Sequence, residues 1–132
     1  MLQEERQQFE LQLGAYQFLA IEGDGLRVQV ERNALIANPV VRRCGRIIGS
    51  VNGNVKDGSL YIGRLMVLPE YQQQGIGKLL FREIQSRLPH SRAWLCTCQQ
   101  IRPPYEFYLR EGFKPYKSEE VGPGLTWAYL EK

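Results

Sequence analysis

The chain predicts an α+β fold: a mixed, mostly antiparallel sheet flanked by helices, in a single domain over residues 1–132. Three observations carry this. Short apolar runs recur along the chain, separated by turns rich in Gly, Pro, Asn or Asp. A helical periodicity over residues 75–88 lies between two strand-like runs, which implies a parallel crossover within the sheet. At 132 residues, 43 % of them hydrophobic and 23 % charged, the chain supports one core and not two.

The elements follow in order. Residues 1–13 read as a polar helix, with Phe9 and Leu13 four apart on one side. After a Gly23-Asp24-Gly25 turn, Leu26, Val28 and Val30 alternate like a half-buried strand over 26–31. Residues 39–43 and 46–52 form two strands joined by a Cys44-Gly45 turn, and 55–58 make a further turn. A strand over 59–68 ends at Pro69. In the helix over 75–88, Ile76, Leu79, Leu80, Ile84 and Leu88 share one face, and Pro89 stops it. A strand over 92–98, a helix over 104–111 and strands over 113–117 and 125–131 complete the order. Pro103 and Pro104 suit the first turn of that second helix, and Gly112 suits its left-handed C-terminal cap.

Composition excludes several classes of function. No apolar stretch approaches the ~20 residues needed to cross a bilayer, so no membrane partner is expected. The opening MLQEERQQFELQL lacks the basic patch and apolar run of a signal peptide. Three cysteines cannot close a disulfide framework, and a reducing cytoplasm is the simplest setting. A net charge of +3 attracts anions mildly but forms no clustered footprint for nucleic acid. The densest basic stretch, Arg42-Arg43-Cys44-Gly45-Arg46, reads as a solvated hairpin turn.

The chemistry concentrates in residues 59–88. An apolar run over 65–68 ends at Pro69, and a polar loop leads into Gly75-Ile76-Gly77 at a helix start. Such a start presents unpaired backbone N–H groups and partial positive charge, which together hold phosphate. Glycines let the phosphate approach with no Cβ in the way. The loop fits neither common nucleotide motif. A Walker loop needs a Lys followed by Ser or Thr, and here Leu79 follows Lys78; a dinucleotide fingerprint needs a third glycine where Leu80 stands. A site for some other pyrophosphate-bearing cofactor remains.

Gln72-x-x-Gly75-x-Gly77 resembles the (Arg/Gln)-x-x-Gly-x-(Gly/Ala) signature of the GNAT superfamily of acyl-CoA-dependent N-acetyltransferases. The preceding Leu65-Met66-Val67-Leu68-Pro69-Glu70-Tyr71 is similar to the family's Leu-x-Val-x-Pro-x-(Tyr/Phe) strand. Downstream, Phe107-Tyr108-Leu109-Arg110-Glu111-Gly112-Phe113 resembles its Phe-Tyr-x-x-x-Gly-Phe segment. The tail, Gly122-Pro123-Gly124-Leu125-Thr126 and then Trp127-Ala128-Tyr129-Leu130, looks like a last strand of the family. The resemblance is strongest over residues 39–132.

This resemblance implies acetyl-CoA as acyl donor. The backbone of Gln73, Gln74, Gly75, Ile76, Gly77 and Lys78 would cradle the pyrophosphate, with the Lys78 charge nearby. Gln72 stands where Arg is commoner, which removes one cationic contact but leaves a hydrogen-bonding amide. The backbone of Leu65, Met66 and Val67 would pair with the pantetheine arm and polarise the thioester carbonyl, their side chains lying in the core. Tyr108, four residues before Gly112, matches the family's general acid. Tyr105 lies on the same helix face.

Other candidates are weaker. No general base presents itself: residues 59–69 hold no acid, and Arg64 is their one charge. Glu70 lies past the strand end, and Glu119 and Glu120 are expected in a loop. Gln99 and Gln100 stand near an asparagine position of the family. Cys96 and Cys98 share a strand face, but without further ligands they suit core packing better than zinc, and no metal is expected. His90 reads as a surface turn residue.

The N-terminal region departs from the family, which places two helices between its first two strands. Here about seven residues separate 26–31 from the next strand. The acceptor side is therefore either open or covered by residues 1–18. The strand carrying Trp127, Tyr129 and Leu130 could pair across a homodimer. The implied function is an N-acetyltransferase moving an acetyl group from acetyl-CoA to a small-molecule or peptide amine by direct attack. The alternative is a catalytically weak or inactive GNAT-like module that binds acyl-CoA or a protein partner.

Overall fold

The computed structural model describes residues 17–18, 29–31, 34–43 and 45–132. In chain order the elements begin with β1 (Gln17–Phe18), β2 (Gln29–Glu31), β3 (Ala34–Ala37), β4 (Val40–Arg43), β5 (Arg46–Lys56) and β6 (Ser59–Val67). A single 3-10 turn (Pro69–Tyr71), α1 (Ile76–Arg87), β7 (Arg92–Cys98), α2 (Arg102–Arg110), β8 (Lys114–Gly122) and β9 (Leu125–Glu131) follow. The strands join one sheet in the order β1-β4-β5-β6-β7-β9-β8, and the β2–β3 hairpin adds along the remaining part of β5. Among the described residues every pairing is antiparallel except β6–β7, which α1 connects in parallel. The expected α+β architecture is the one observed.

Local chemistry explains the joints. Asp57 and Gly58 both take positive φ (52° and 81°), the geometry of a two-residue hairpin turn whose twist suits its strands. Val55 and Lys56 therefore stay in β5 rather than in the broader turn the sequence suggests. Pro103 and Pro104 fall in the first turn of α2, and Gly112 (φ 93°) ends it, with the Phe113 N–H donating to the Tyr108 carbonyl.

The core lies between the sheet and α1. Ile76, Leu80, Phe81 and Ile84 are fully buried there against Leu60, Ile62, Leu95 and Leu130. The helix sits so close to β5 that only glycine fits beneath it: a Cβ on Gly53 would stand 2.5 Å from Ile84 Cδ1. Phe81, absent from the face expected from spacing, is the hub. Its ring centroid is 5.3 Å from those of Phe107, Tyr108 and Phe113, so α1, α2 and the start of β8 are locked together. Leu79, placed on that face from the sequence, is only half-buried. Glu83 is also buried on α1, paired to Arg87 one turn later.

Several expectations need correction. The helix over 1–13 and residues 26–28 lie outside the described residues. The unexpected β3 occupies the interval between residues 26–31 and β4, because Ala34–Ala37 finds a partner along β5. β8 runs to Gly122, so Glu119 and Glu120 are strand residues, both exposed, rather than loop residues. β9 lies between β7 and β8 with both edges paired, so it cannot add a strand across a homodimer; β8 is the outer strand. No described helix is long and apolar enough to cross a membrane.

Candidate active site

The sheet opens at one place. β6 and β7 pair only through Ser59–Arg92, Leu60–Ala93 and Tyr61–Trp94. Beyond that point β6 stays with β5 while β7 stays with β9, and a V-shaped split separates them. A bulge in β6 helps to part them. Between the Ser50–Met66 and Asn52–Gly63 pairs, β6 spends two residues, Arg64 and Leu65, opposite Val51. Arg64 takes φ 53°, a left-handed conformation that costs a non-glycine residue about 1 kcal/mol. The extra residue resets the alternation: Ile62 is buried in the core, Arg64 is thrown outward, and Leu65 and Val67 return to pack on the core.

Main-chain direction at the end of β6 follows from alternation. The Leu68 N–H donates to the Ile48 carbonyl on β5 at 2.8 Å, and Met66 points the same way. Leu65 and Val67 therefore turn their N–H and C=O groups into the split. Of the three residues expected to meet a pantetheine arm, Met66 has its main-chain groups committed to β5. The residue is 62 % exposed rather than in the core.

The loop after β6 forms an anion cradle. Gln73 (φ 63°) and Gly75 (φ 84°) are left-handed with ordinary residues around them, an alternation that turns successive N–H groups inward. Gly75 caps α1 without a side-chain hydrogen bond, and the first turn of α1 carries no acid. The first intrahelical bond is Leu79 N–H to Gly75 carbonyl, so the N–H groups of Ile76, Gly77 and Lys78 stay available. A Cβ on Gly75 would meet nothing within 4 Å, and one on Gly77 only Val67 Cγ2 at 3.7 Å. That open space above free donors fits a pyrophosphate. Gln72 and Gln74 shape the loop as well: Gln72 Nε2 donates to the Val67 carbonyl at 3.0 Å, and Gln74 Nε2 to the Glu70 carbonyl at 3.5 Å. One amide hydrogen of Gln72 thus ties the loop to the strand end, and the exposed amide carries a second donor. Lys78 is exposed beside them.

Tyr108 lies on α2 against Phe81, and its hydroxyl senses groups on both lips of the split. Burial pushes its phenol above the ordinary value, and Tyr61 on β6 and Cys96 on β7 push it further. It therefore stays protonated across the neutral range. Tyr105, on the same helix, is buried instead. Tyr61 and Cys96 lie close enough across the base of the split for each to shift the other's ionisation. Burial raises the Tyr61 phenol most, Cys96 adds to the rise, and Arg64 opposes it. Burial also raises the Cys96 thiol, against the pull of Tyr61.

Sequence reasoning missed this pair. Cys96 and Cys98 are half-buried free thiols on the face opposite α1, outside the core expected for them. No motif announces Tyr61, whose ring lies 4.8 Å from that of Trp94. Gln100 is a staple: its Oε1 accepts from the Thr126 N–H at 2.9 Å, joining the end of β7 to β9. His90 bonds the Leu88 carbonyl in its turn, away from the split. Glu119 lies near Tyr129, which stacks on Trp94 on the face opposite α1.

The comparisons agree with this geometry. Residues 32–115 match the model of the acetyltransferase (GNAT) domain. The peptidyl-lysine N-acetyltransferase YiaC of Escherichia coli is 30 % identical over 89 residues, 65 % of this chain and 58 % of that protein. The chain thus spans less than two thirds of that relative's length. An acetyltransferase from Bacillus cereus superposes with a TM-score of 0.67 at 25 % identity, over 98 % of this chain and 89 % of that one. A GNAT family acetyltransferase from Elizabethkingia anophelis, solved with acetyl-CoA bound, superposes with a TM-score of 0.63 at 16 % identity, over 73 % and 74 % of the two chains. With its split sheet, glycine cradle and matching domain, this chain belongs to the GNAT acetyltransferase family.

Proposed function

We propose that this protein transfers an acetyl group from acetyl-CoA to the amine of a peptide lysine by direct attack. The observation that carries the reading is the Tyr108 hydroxyl, held protonated where β6 and β7 part. The donor supplies an acyl group activated as a thioester. The N–H groups of residues 73–78 bind its diphosphate, and the main chain of Leu65 and Val67 orients its arm along β6. The acceptor nitrogen forms a C–N bond to the carbonyl carbon as the C–S bond breaks. One proton leaves the nitrogen, and Tyr108 Oη gives one to the departing sulfur before recovering its own from solvent. The lysine acceptor is suggested by the printed activity of the E. coli relative. A cytoplasmic setting is part of the reading, supported by the free thiols of Cys96 and Cys98.

Neither β6 nor β7, the two lips of the split, carries a carboxylate, so in this reading the amine arrives neutral or loses its proton to water. Activity on a lysine peptide should rise with pH, kcat/KM gaining about ten-fold per unit toward the lysine pKa of ~10.4. Tyr108, whose pKa is raised, remains an acid over that range. Tyr108→Phe should lower kcat by ~10²–10⁴-fold while acetyl-CoA still raises the melting temperature. Full turnover in that variant would remove Tyr108 from the mechanism. A wild type that binds acetyl-CoA yet acetylates no amine would favour a binding module instead.

A further inference from the structure

On the face of the sheet opposite α1, two adjoining cavities of about 350 and 380 Å³ meet at Tyr61 and Asn54, beside the base of the split. Asn52, Asn54 and Lys56 form one stripe along β5, alternating with the buried Val51, Gly53 and Val55. Asn38 and Arg64 add to the wall of the first cavity, and Trp94 to that of the second. Carboxamides both donate and accept, so Asn52 and Asn54 in one row, with Asn38 nearby, suit the repeating N–H and C=O groups of an extended peptide. The charge is the more telling feature. Arg64 is exposed at the mouth, and no described carboxylate pairs with it. Lys56 is a second cation, while Asp57 at the far end is the one acid in either lining. Of the carboxylates on this face beyond the linings, Glu131, opposite Trp94, is already held by Arg92 at 2.7 Å, and Glu119 lies by Tyr129, two strands from β6. A polycationic acceptor would therefore find no counter-charge beside Arg64.

We propose that this groove is the acceptor site and selects a peptide with an acidic residue next to the reactive amine, its carboxylate meeting Arg64. The proposal rests on the acetyltransferase reading for the amine, but the groove's preference can be measured as binding alone. The φ of 53° at Arg64 supports the assignment. The bulge that reopens the strand also throws this guanidinium out of the core and over the acceptor cavity.

The test uses the full chain and three amidated, N-blocked peptides with one central lysine flanked by Glu, Ala or Lys. Two readouts run in parallel. One is transfer from acetyl-CoA; the other is quenching of Trp94 fluorescence in a Trp127→Phe background, which reports occupancy without turnover. Wild type should favour the Glu peptide over the Ala peptide by about five-fold in KM and in half-saturation, with the Lys peptide weakest. Arg64→Glu should invert that order. Arg64→Asn, which tolerates the left-handed backbone, should level it. A neutral peptide with a free C-terminal carboxylate, and free glutamate, separate the sources of the negative charge. The side-chain source predicts that neither matches the amidated Glu peptide.

An order unchanged by Arg64→Glu, equal affinity for all three peptides, or no quenching at millimolar peptide would overturn the proposal. Quenching that follows the predicted order without any acetylation would uphold it while sinking the enzymatic reading.

Discussion

The two sides of the split are built from different materials. In the proposed reading the working groups on the donor side are main chain: N–H groups of residues 73–78 and the outward-turned backbone of Leu65 and Val67. On the proposed acceptor side they are side chains, Asn52, Asn54, Tyr61 and Arg64, which line one cavity from two strands. A main-chain site is set by backbone geometry, so it needs particular residues only where that geometry is unusual. A side-chain site needs particular residues everywhere, but those residues are free to come from anywhere in the sequence. The first kind resists substitution by shape and the second by chemistry, so variants should separate them.

The largest separation is expected at Gly75. Its φ of 84° makes any β-branched residue strained, by about 1–2 kcal/mol, and a side chain there would project into the cradle. In wild type, acetyl-CoA at ~100 times its dissociation constant should add ~2.7 kcal/mol of stability, several degrees in thermal unfolding. Gly75→Val should abolish that shift at the same concentration. Peptide quenching at Trp94 should remain, since no acceptor-side residue touches the loop. A shift that survives would mean that the diphosphate is not held by this turn.

Gly53→Ala should instead damage both sides together. The new Cβ would stand 2.5 Å from Ile84 Cδ1 and 3.1 Å from Leu88 Cδ1, so α1 has to move off β5. Overpacking of this kind costs about 1–3 kcal/mol and should lower the melting temperature by several degrees. Because α1 begins at the cradle and β5 carries Asn52 and Asn54, ligand shifts on both sides should weaken in parallel. A variant with wild-type stability would show that the helix is less tightly seated than the packing implies.

The same contrast explains what was legible in the sequence. Gln72, Gly75, Gly77 and Pro69 lie within eight residues of one another, and their spacing encodes a backbone shape that no side chain has to complete. Tyr108 was legible for a related reason: Gly112 marks the end of its helix and so fixes where the tyrosine sits. Arg64 was visible only as the one charge in a strand, since a bulge depends on how the partner strand registers. Tyr61 and Cys96 are 35 positions apart and meet only because β6 and β7 pair for three residues. Phe81 was missed because a helix packed under a sheet and against α2 buries more than one stripe. β3 was missed because a four-residue run becomes a strand only when a longer neighbour offers an open edge.

The smallest effect, and the sharpest probe of the acceptor side, belongs to Gly63. It is an ordinary strand residue in φ, so alanine fits the backbone there. The ring of Tyr61 folds over it, however: a Cβ would stand 2.8 Å from Tyr61 Cε2 and 3.0 Å from its Oη. Tyr61 is a half-exposed side chain and can rotate away, so stability should change by less than about 1 kcal/mol. Rotation would carry the hydroxyl away from Cys96 and move the ring that lines both cavities. Gly63→Ala should therefore raise KM for a lysine peptide roughly two- to ten-fold, the worth of about one hydrogen bond. The acetyl-CoA melting shift should stay at its wild-type value. If the shift falls while KM holds, Tyr61 serves the donor and not the acceptor, and the boundary between the two sides lies on the other lip of the split.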